Sequence, residues 1–205
     1  MWTRPSRNCS ASARVASSVL PKTVIPEVSR SSRWTSPAGR LRCALALQFR
    51  EGRVHKRYLA ACGPGLGAHG SQGLIELPLS KDPARPGRYR ASRTANGVPA
   101  STVWRLLHAA PEYALVALFP RTGRTHQLRA HLTALGAPIL GDARYGGAAQ
   151  ALGEKVPRCL LHAQALSLRH PLSGASLLLE APLPDDLARF FADAGLRAPE
   201  GEVRE

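Results

Sequence analysis

Apolar positions take on a regular spacing only from about Leu45 onward. Leu45–Arg53 ends a helix-like stretch that the Glu51-Gly52 turn stops. Val54–Cys62 (VHKRYLAAC) has strand character and runs into a glycine-rich loop, Gly63–Gly70. Gly73–Leu79 and Arg88–Ser92 predict short strands around a Pro-rich turn at Asp82–Gly87. Ser101–His108 and Tyr113–Phe119 alternate and predict a hairpin across Ala109–Glu112. A helix opening at Thr125 places Leu128, Leu132 and Leu135 at i, i+4 and i+7, one apolar stripe, and stops near Gly136. Cys159–Leu168 and Ala175–Glu180 predict a second hairpin around the HPLSG turn at 170–174. Pro184 opens a last helix with acids in its first turn and Gly195 at its end. Many strands and few helices read as an α+β fold with a mixed or mostly antiparallel sheet, one domain over residues 45–195, and a tail at 196–205.

Residues 1–44 differ from the rest of the chain. They hold eight Lys/Arg, nine Ser and one acid, Glu27, with scattered apolar residues and prolines at 5, 21, 26 and 37. Three readings stay open: a disordered basic arm that grips RNA, an organelle transit segment, or a start that is truncated or frame-shifted.

The net charge of +14 changes the picture, because a surplus this large favours a polyanionic partner, most often nucleic acid. A GC-rich genome that inflates Arg is the alternative source. Cys9, Cys43, Cys62 and Cys159 form no CxxC pair, so neither a zinc site nor a disulfide framework is expected. No apolar run approaches the length of a membrane span, and no secretory signal pattern opens the chain. A cytoplasmic monomer without cofactor or metal is the expectation.

The chemistry-bearing stretch is LFPRTGRTHQLRAHLTALGAPILGDARYG at 118–146. A strand ends at Pro120, a Thr-Gly-Arg turn comes next, and polar residues cluster where the turn feeds a helix. Free backbone N–H groups and the helix dipole there favour a phosphate. This block, with FREGRVHKRYLAACG at 49–63, CLLHAQALSLRHPLSG at 159–174 and APLPDDL at 181–187, resembles the RluA-type RNA pseudouridine synthases over about residues 48–193. The resemblance implies a pseudouridine synthase-like catalytic domain with an incomplete N-terminal part. It implies isomerisation of uridine to pseudouridine in ribosomal or transfer RNA, an isomerase reaction without metal or cofactor. The family acts on an extruded base, which costs a few kcal/mol of unstacking.

Residue by residue, Tyr58 matches the tyrosine that stacks on uracil and is a candidate proton acceptor. Its alternative is an ordinary strand tyrosine. Arg129 matches the basic residue that pairs with the catalytic Asp; the alternative is a solvated helix arginine. Leu128 matches the aliphatic residue beneath the base. Arg124, Thr125, His126 and Gln127 are expected to touch the RNA backbone or to scaffold the pocket, and for His126 capping or packing is an equal alternative. His162 and His170 read as turn and strand structure.

The family's nucleophile sits in an Arg-Leu-Asp-x-x-Thr-Ser-Gly loop, which should fall near residues 25–40. The chain there reads IPEVSRSSRWTSPAGRL, and no Asp precedes Asp82. Glu27 sits in no matching motif. Shifted by one base, the codons for Trp34-Thr35 give Leu, Val or Met followed by Asp, which partly supports a frame error. Without the Asp, Arg129 is expected to lack a carboxylate partner and to attract phosphate or another anion. The chain is then an RNA pseudouridine synthase by descent that lacks its recognised nucleophile, a non-catalytic RNA-binding module, or a defective product; Glu27 or a downstream acid such as Asp142 could replace the nucleophile.

Overall fold

The computed structural model describes residues 36–93, 97–199 and 203. Glu27 and the Trp34-Thr35 pair lie outside the described residues. Two compact units are present: the part before Val54 together with Arg169–Ala175, and Val54–Leu168 together with the chain from Ser176.

The first unit is built on helix α1, Pro37–Arg50. Ser36 caps it by accepting the Gly39 N–H at 3.1 Å, and Pro37 stands at the first helical position. This Ser-Pro start signal lies ahead of Leu45, so the helix begins earlier than the spacing of apolar residues suggested. Arg50 in its last turn and Gly52 at φ 70° close it. Gln48 makes a two-way bond with the Arg169 backbone, donating at 2.8 Å and accepting at 2.9 Å.

The second unit carries β1 (His55–Cys62), β2 (Gln72–Glu76), β3 (Leu79–Lys81), β4 (Tyr89–Ala91), β5 (Ser101–Ala109) and β6 (Ala114–Pro120). Helix α2 (Gln127–Ala134) is next, then β7 (Gln150–Ala151), β8 (Glu154–Lys155), β9 (Leu161–Arg169), β10 (Ser176–Glu180) and helix α3 (Asp185–Asp193). Six strands form one sheet in the order β10-β9-β1-β6-β5-β2. The pairings β1–β6, β1–β9, β5–β6 and β2–β5 are all antiparallel. Both expected hairpins appear as neighbours in this sheet. Strand β6 (ALVALFP) is buried along its whole length, so it is a continuous apolar run rather than the alternating strand expected.

Register fixes which side chains share a face. Tyr58 pairs with Leu118, Leu118 with Trp104, and Thr102 stands two residues from Trp104 on the same side. Helix α2 reaches that face through Gln127, whose Nε2 donates to Thr102 Oγ1 at 2.9 Å, and through His131, whose Nδ1 lies 2.9 Å from the same hydroxyl. Leu128 and Leu132 join the core there, and Tyr58 packs against the same core. Helix α2 therefore covers the face on which Tyr58 stands.

The opposite face of β1 carries Arg57, buried to 3% exposure. Its Nε donates to Gln164, and its Nη2 donates to the Pro199 carbonyl at 2.9 Å and lies 3.4 Å from Glu180. Gln164 also donates to the Pro199 carbonyl, at 3.0 Å. A buried guanidinium must have its N–H groups satisfied, and the chain beyond α3 supplies part of that. Ending the chain at Leu196 removes the shared acceptor. A loss of about 1–3 kcal/mol in unfolding free energy is expected, read from urea melts; an unchanged midpoint would show that water replaces the carbonyl at no cost.

His131 is fully buried between Thr102 and the Leu77 carbonyl, 3.1 Å from its Nε2. The carbonyl requires the hydrogen on Nε2, so Nδ1 accepts from the Thr102 hydroxyl and the ring is neutral. Burial holds its pKa below 6.5, outweighing the Leu77 carbonyl, which pulls the other way. The unfolded chain takes up a proton near pH 6.5 and the folded chain only lower, so stability is complete above that pH and is lost below it. The melting temperature should fall between about pH 7 and pH 5, with a shallower fall in His131→Gln.

Candidate active site

The turn before α2 is closed on one side chain. Gln127 Oε1 accepts from the Thr122 hydroxyl at 2.6 Å and the Arg124 N–H at 3.0 Å. Its Nε2 donates to the Ser101 carbonyl at 2.9 Å and to Thr102. All four hydrogen-bonding positions of the amide are thereby used, so its contacts serve scaffolding and leave no group for RNA. The same closure delays the helix: α2 begins at Gln127 rather than Thr125, and His126 precedes it in the left-handed region at φ 55°. Arg124 and Thr125 stand exposed on the turn, with Arg124 Nε donating to the Pro99 carbonyl at 3.1 Å.

Arg129 does not lack a carboxylate. Its Nε donates to Asp142 Oδ2 and its Nη2 to Asp142 Oδ1, both at 2.6 Å. This corrects the expectation of an unpaired arginine. The acid comes from the loop after α2 rather than from an N-terminal motif. The pairing raises Arg129 above its ordinary value, chiefly through the Asp142 hydrogen bonds. Asp142 exposes only 1% of its side chain, and Oδ1 also accepts the Tyr145 N–H at 3.2 Å. Its carboxylate is thus held away from solvent with both oxygens engaged.

The loop that carries Asp142 is built by close backbone approach. The Leu140 N–H donates to Ala61 O, and the Leu160 N–H to Leu140 O, both at 2.9 Å, so this segment lies beside the end of β1. Gly141 sits at φ 71°, and a Cβ there would overlap the Arg158 carbonyl; one on Gly147 would overlap the Ile139 carbonyl. Only glycine lets the loop fold back so tightly.

Tyr145 joins the loop to its neighbours. The Arg129 and Arg88 guanidinium carbons lie 4.7 Å and 4.9 Å from its ring centre. The Tyr89 N–H donates to its hydroxyl at 2.9 Å, and that hydroxyl lies 3.1 Å from His126 Nδ1. With the oxygen accepting from Tyr89, the hydroxyl hydrogen is free for His126 Nδ1, which requires a neutral ring. Burial first, then the Arg129 and Arg144 charges, lower the His126 pKa and keep that ring neutral. The thiol of Cys159 lies 3.6 Å from Asp142 Oδ2 and is pushed up to about 12 by burial and then by that carboxylate.

Tyr58 is half-buried, and burial raises its hydroxyl above the ordinary tyrosine value. The protonated phenol is thus its resting form. Among the described residues, no hydrogen bond or ring contact joins Tyr58 to Arg129. Tyr58 and Leu128 meet in one core, and Arg129 follows Leu128 on α2. Sequence reasoning gave no role to Asp142 in pairing Arg129, nor to Tyr145, Tyr89 or Arg88. The available signal was the Gly-Asp-x-x-Tyr-Gly loop, an acid between conformationally special residues. Among the described residues, no His/Cys/Asp/Glu group suited to a metal occurs, and no helix is long and apolar enough to cross a membrane.

Comparison with known proteins gives this geometry its context. Residues 39–134 match the RNA pseudouridylate synthase family. The chain is 43% identical over 142 residues to the dual-specificity RNA pseudouridine synthase RluA of Escherichia coli, covering 67% of this chain and 61% of that protein. It is 39% identical over 153 residues to ribosomal large subunit pseudouridine synthase D of Nitrosomonas europaea, covering 72% of this chain and 43% of the relative. The structure of human RNA pseudouridylate synthase domain containing 4 superposes with a TM-score of 0.58 at 27% identity, over 76% of this chain and 68% of the other. The chain thus spans 43% to 61% of the length of these two curated relatives. Matching sequence blocks, a shared antiparallel sheet and this agreement lead to one conclusion: the chain belongs to the RluA-type family of RNA pseudouridine synthases.

Proposed function

We propose that this chain binds RNA and seats a flipped-out uridine between Tyr58 and the α2 side of the sheet, as the substrate-holding part of a pseudouridine synthase. The observation that carries this reading is the placement of Tyr58 and α2 on one sheet face, with Arg129 fixed by the Asp142 loop at the end of β1. The relatives are named for action on the large ribosomal subunit and for dual specificity, so ribosomal or transfer RNA is the proposed substrate class.

The roles follow from the groups present. Tyr58 offers an aromatic face for stacking on uracil and a hydroxyl that donates in its resting state. Leu128 offers an apolar floor. Exposed Arg124 and Thr125 meet the RNA backbone, and neutral His126 orders the turn behind them. Extrusion of the base costs a few kcal/mol, which stacking and backbone contacts offset.

The second reading, RNA binding without turnover, is favoured by one specific observation: the acid beside Arg129 is Asp142, buried and engaged. No Asp precedes Asp82, so the family's nucleophile has no counterpart in this sequence. The chain as written is therefore proposed to hold uridine without isomerising it.

Incubation of the 205-residue chain with ribosomal or transfer RNA should yield no pseudouridine by mass spectrometry of nucleosides. Installing an Arg-Leu-Asp-x-x-Thr-Ser-Gly loop ahead of Leu45 should create turnover, and Tyr58→Ala in that protein should remove most of it, by about 100-fold or more. Turnover by the unmodified chain would sink the second reading. Affinity for single-stranded RNA should also fall with salt, with a log–log slope of about −0.7 for each phosphate contact. Arg124→Ala should flatten it by about one contact; an unchanged slope would remove Arg124 from the interface.

A further inference from the structure

We propose that Asp142 is a positioning residue: it orients the Arg129 guanidinium so that its remaining edge faces the uridine pocket, and base discrimination there depends on the pair. The inference rests on the uridine-binding reading above.

Asp142 takes the Nε and Nη2 of Arg129 at 2.6 Å each, a two-bond fork that fixes the plane of the group as well as its place. Nη1 is left outside that fork. Tyr145 adds a second constraint, with its ring centre 4.7 Å from the guanidinium carbon, and its own N–H is bound by Asp142 Oδ1. The whole arrangement is carried by a loop that the Leu140 N–H ties to Ala61, three residues along β1 from Tyr58. A side chain meant only to neutralise charge needs no such fork, and an exposed acid would have served. Asp142 is instead buried to 2% exposure in a loop that tolerates no side chain at Gly141 or Gly147.

Positioning and neutralisation differ in sign. If Asp142 only cancels charge, replacing it by Asn adds net positive charge and should tighten binding to any RNA. If it positions Arg129, the same change should loosen binding to uridine in particular. The probes are oligouridine and oligocytidine of equal length, which share the phosphate contribution and differ in the base. Their affinities are measured by fluorescence anisotropy on the full chain.

The unmodified chain is expected to prefer oligouridine. Asp142→Asn should cut the uridine-to-cytidine affinity ratio by about tenfold, the equivalent of one charge-assisted bond. In an Arg129→Ala background the same change should have no further effect on the ratio. Asn keeps an acceptor for the Tyr145 N–H, and a melting curve checks the fold. Should Asp142→Asn fail to fold, Arg129→Lys preserves the charge and leaves Asp142 in place, yet a lysine cannot make the fork; it too should lose the ratio. An oligouridine preference that survives Asp142→Asn, or Arg129→Lys where that variant is used, overturns the positioning role while leaving the uridine pocket intact. So does a loss of the ratio that is just as large in the Arg129→Ala background. No preference in the unmodified chain overturns both.

Discussion

A guanidinium tied by two bonds to a buried carboxylate is the constraint around which this site is organised. Removing Asp142 from water has a desolvation cost, and only a well-aligned opposite charge offsets it. Arg129 provides that charge from α2, while the loop provides the acid from beside β1. The helix, the Gly141–Gly147 loop and the central strand are therefore held to one another by a contact that tolerates little displacement. Tyr145, His126 and Tyr89 extend it as a chain of polar bonds toward the β3–β4 hairpin.

Below this pair lies a sheet whose faces have separate tasks. Gln127 and His131 both converge on Thr102, so α2 is registered against β5 by hydrogen bonds as well as by Leu128 and Leu132. Buried amides and imidazoles specify a position more narrowly than apolar packing can, because a shift of one residue leaves donors without acceptors. That precision fixes the helix that carries Arg129.

Much of this was legible in the amino-acid order. The hairpins of β5–β6 and β9–β10 showed in their apolar stretches and turn residues, and α3 showed in Pro184, its first-turn acids and Gly195. The start of α1 did not, because its signal is the Ser36-Pro37 cap rather than an apolar stripe. The start of α2 was misplaced for a different reason: Gln127 closes the preceding turn with its side chain, a tertiary effect that local propensity does not carry. Arg129 was identified by motif, but its partner could not be, since the family's pattern pointed upstream and the pairing runs 13 residues downstream.

The fastening of Arg57 carries a consequence for the pocket. Arg57 and Tyr58 are consecutive on β1 and project to opposite faces, so one peptide unit joins the buried cation to the proposed stacking ring. The Pro199 carbonyl holds the first of these from behind. The Pro199 carbonyl thus lies one residue along the strand from the position that carries the Tyr58 ring. The segment after α3 thus backs the strand that carries Tyr58.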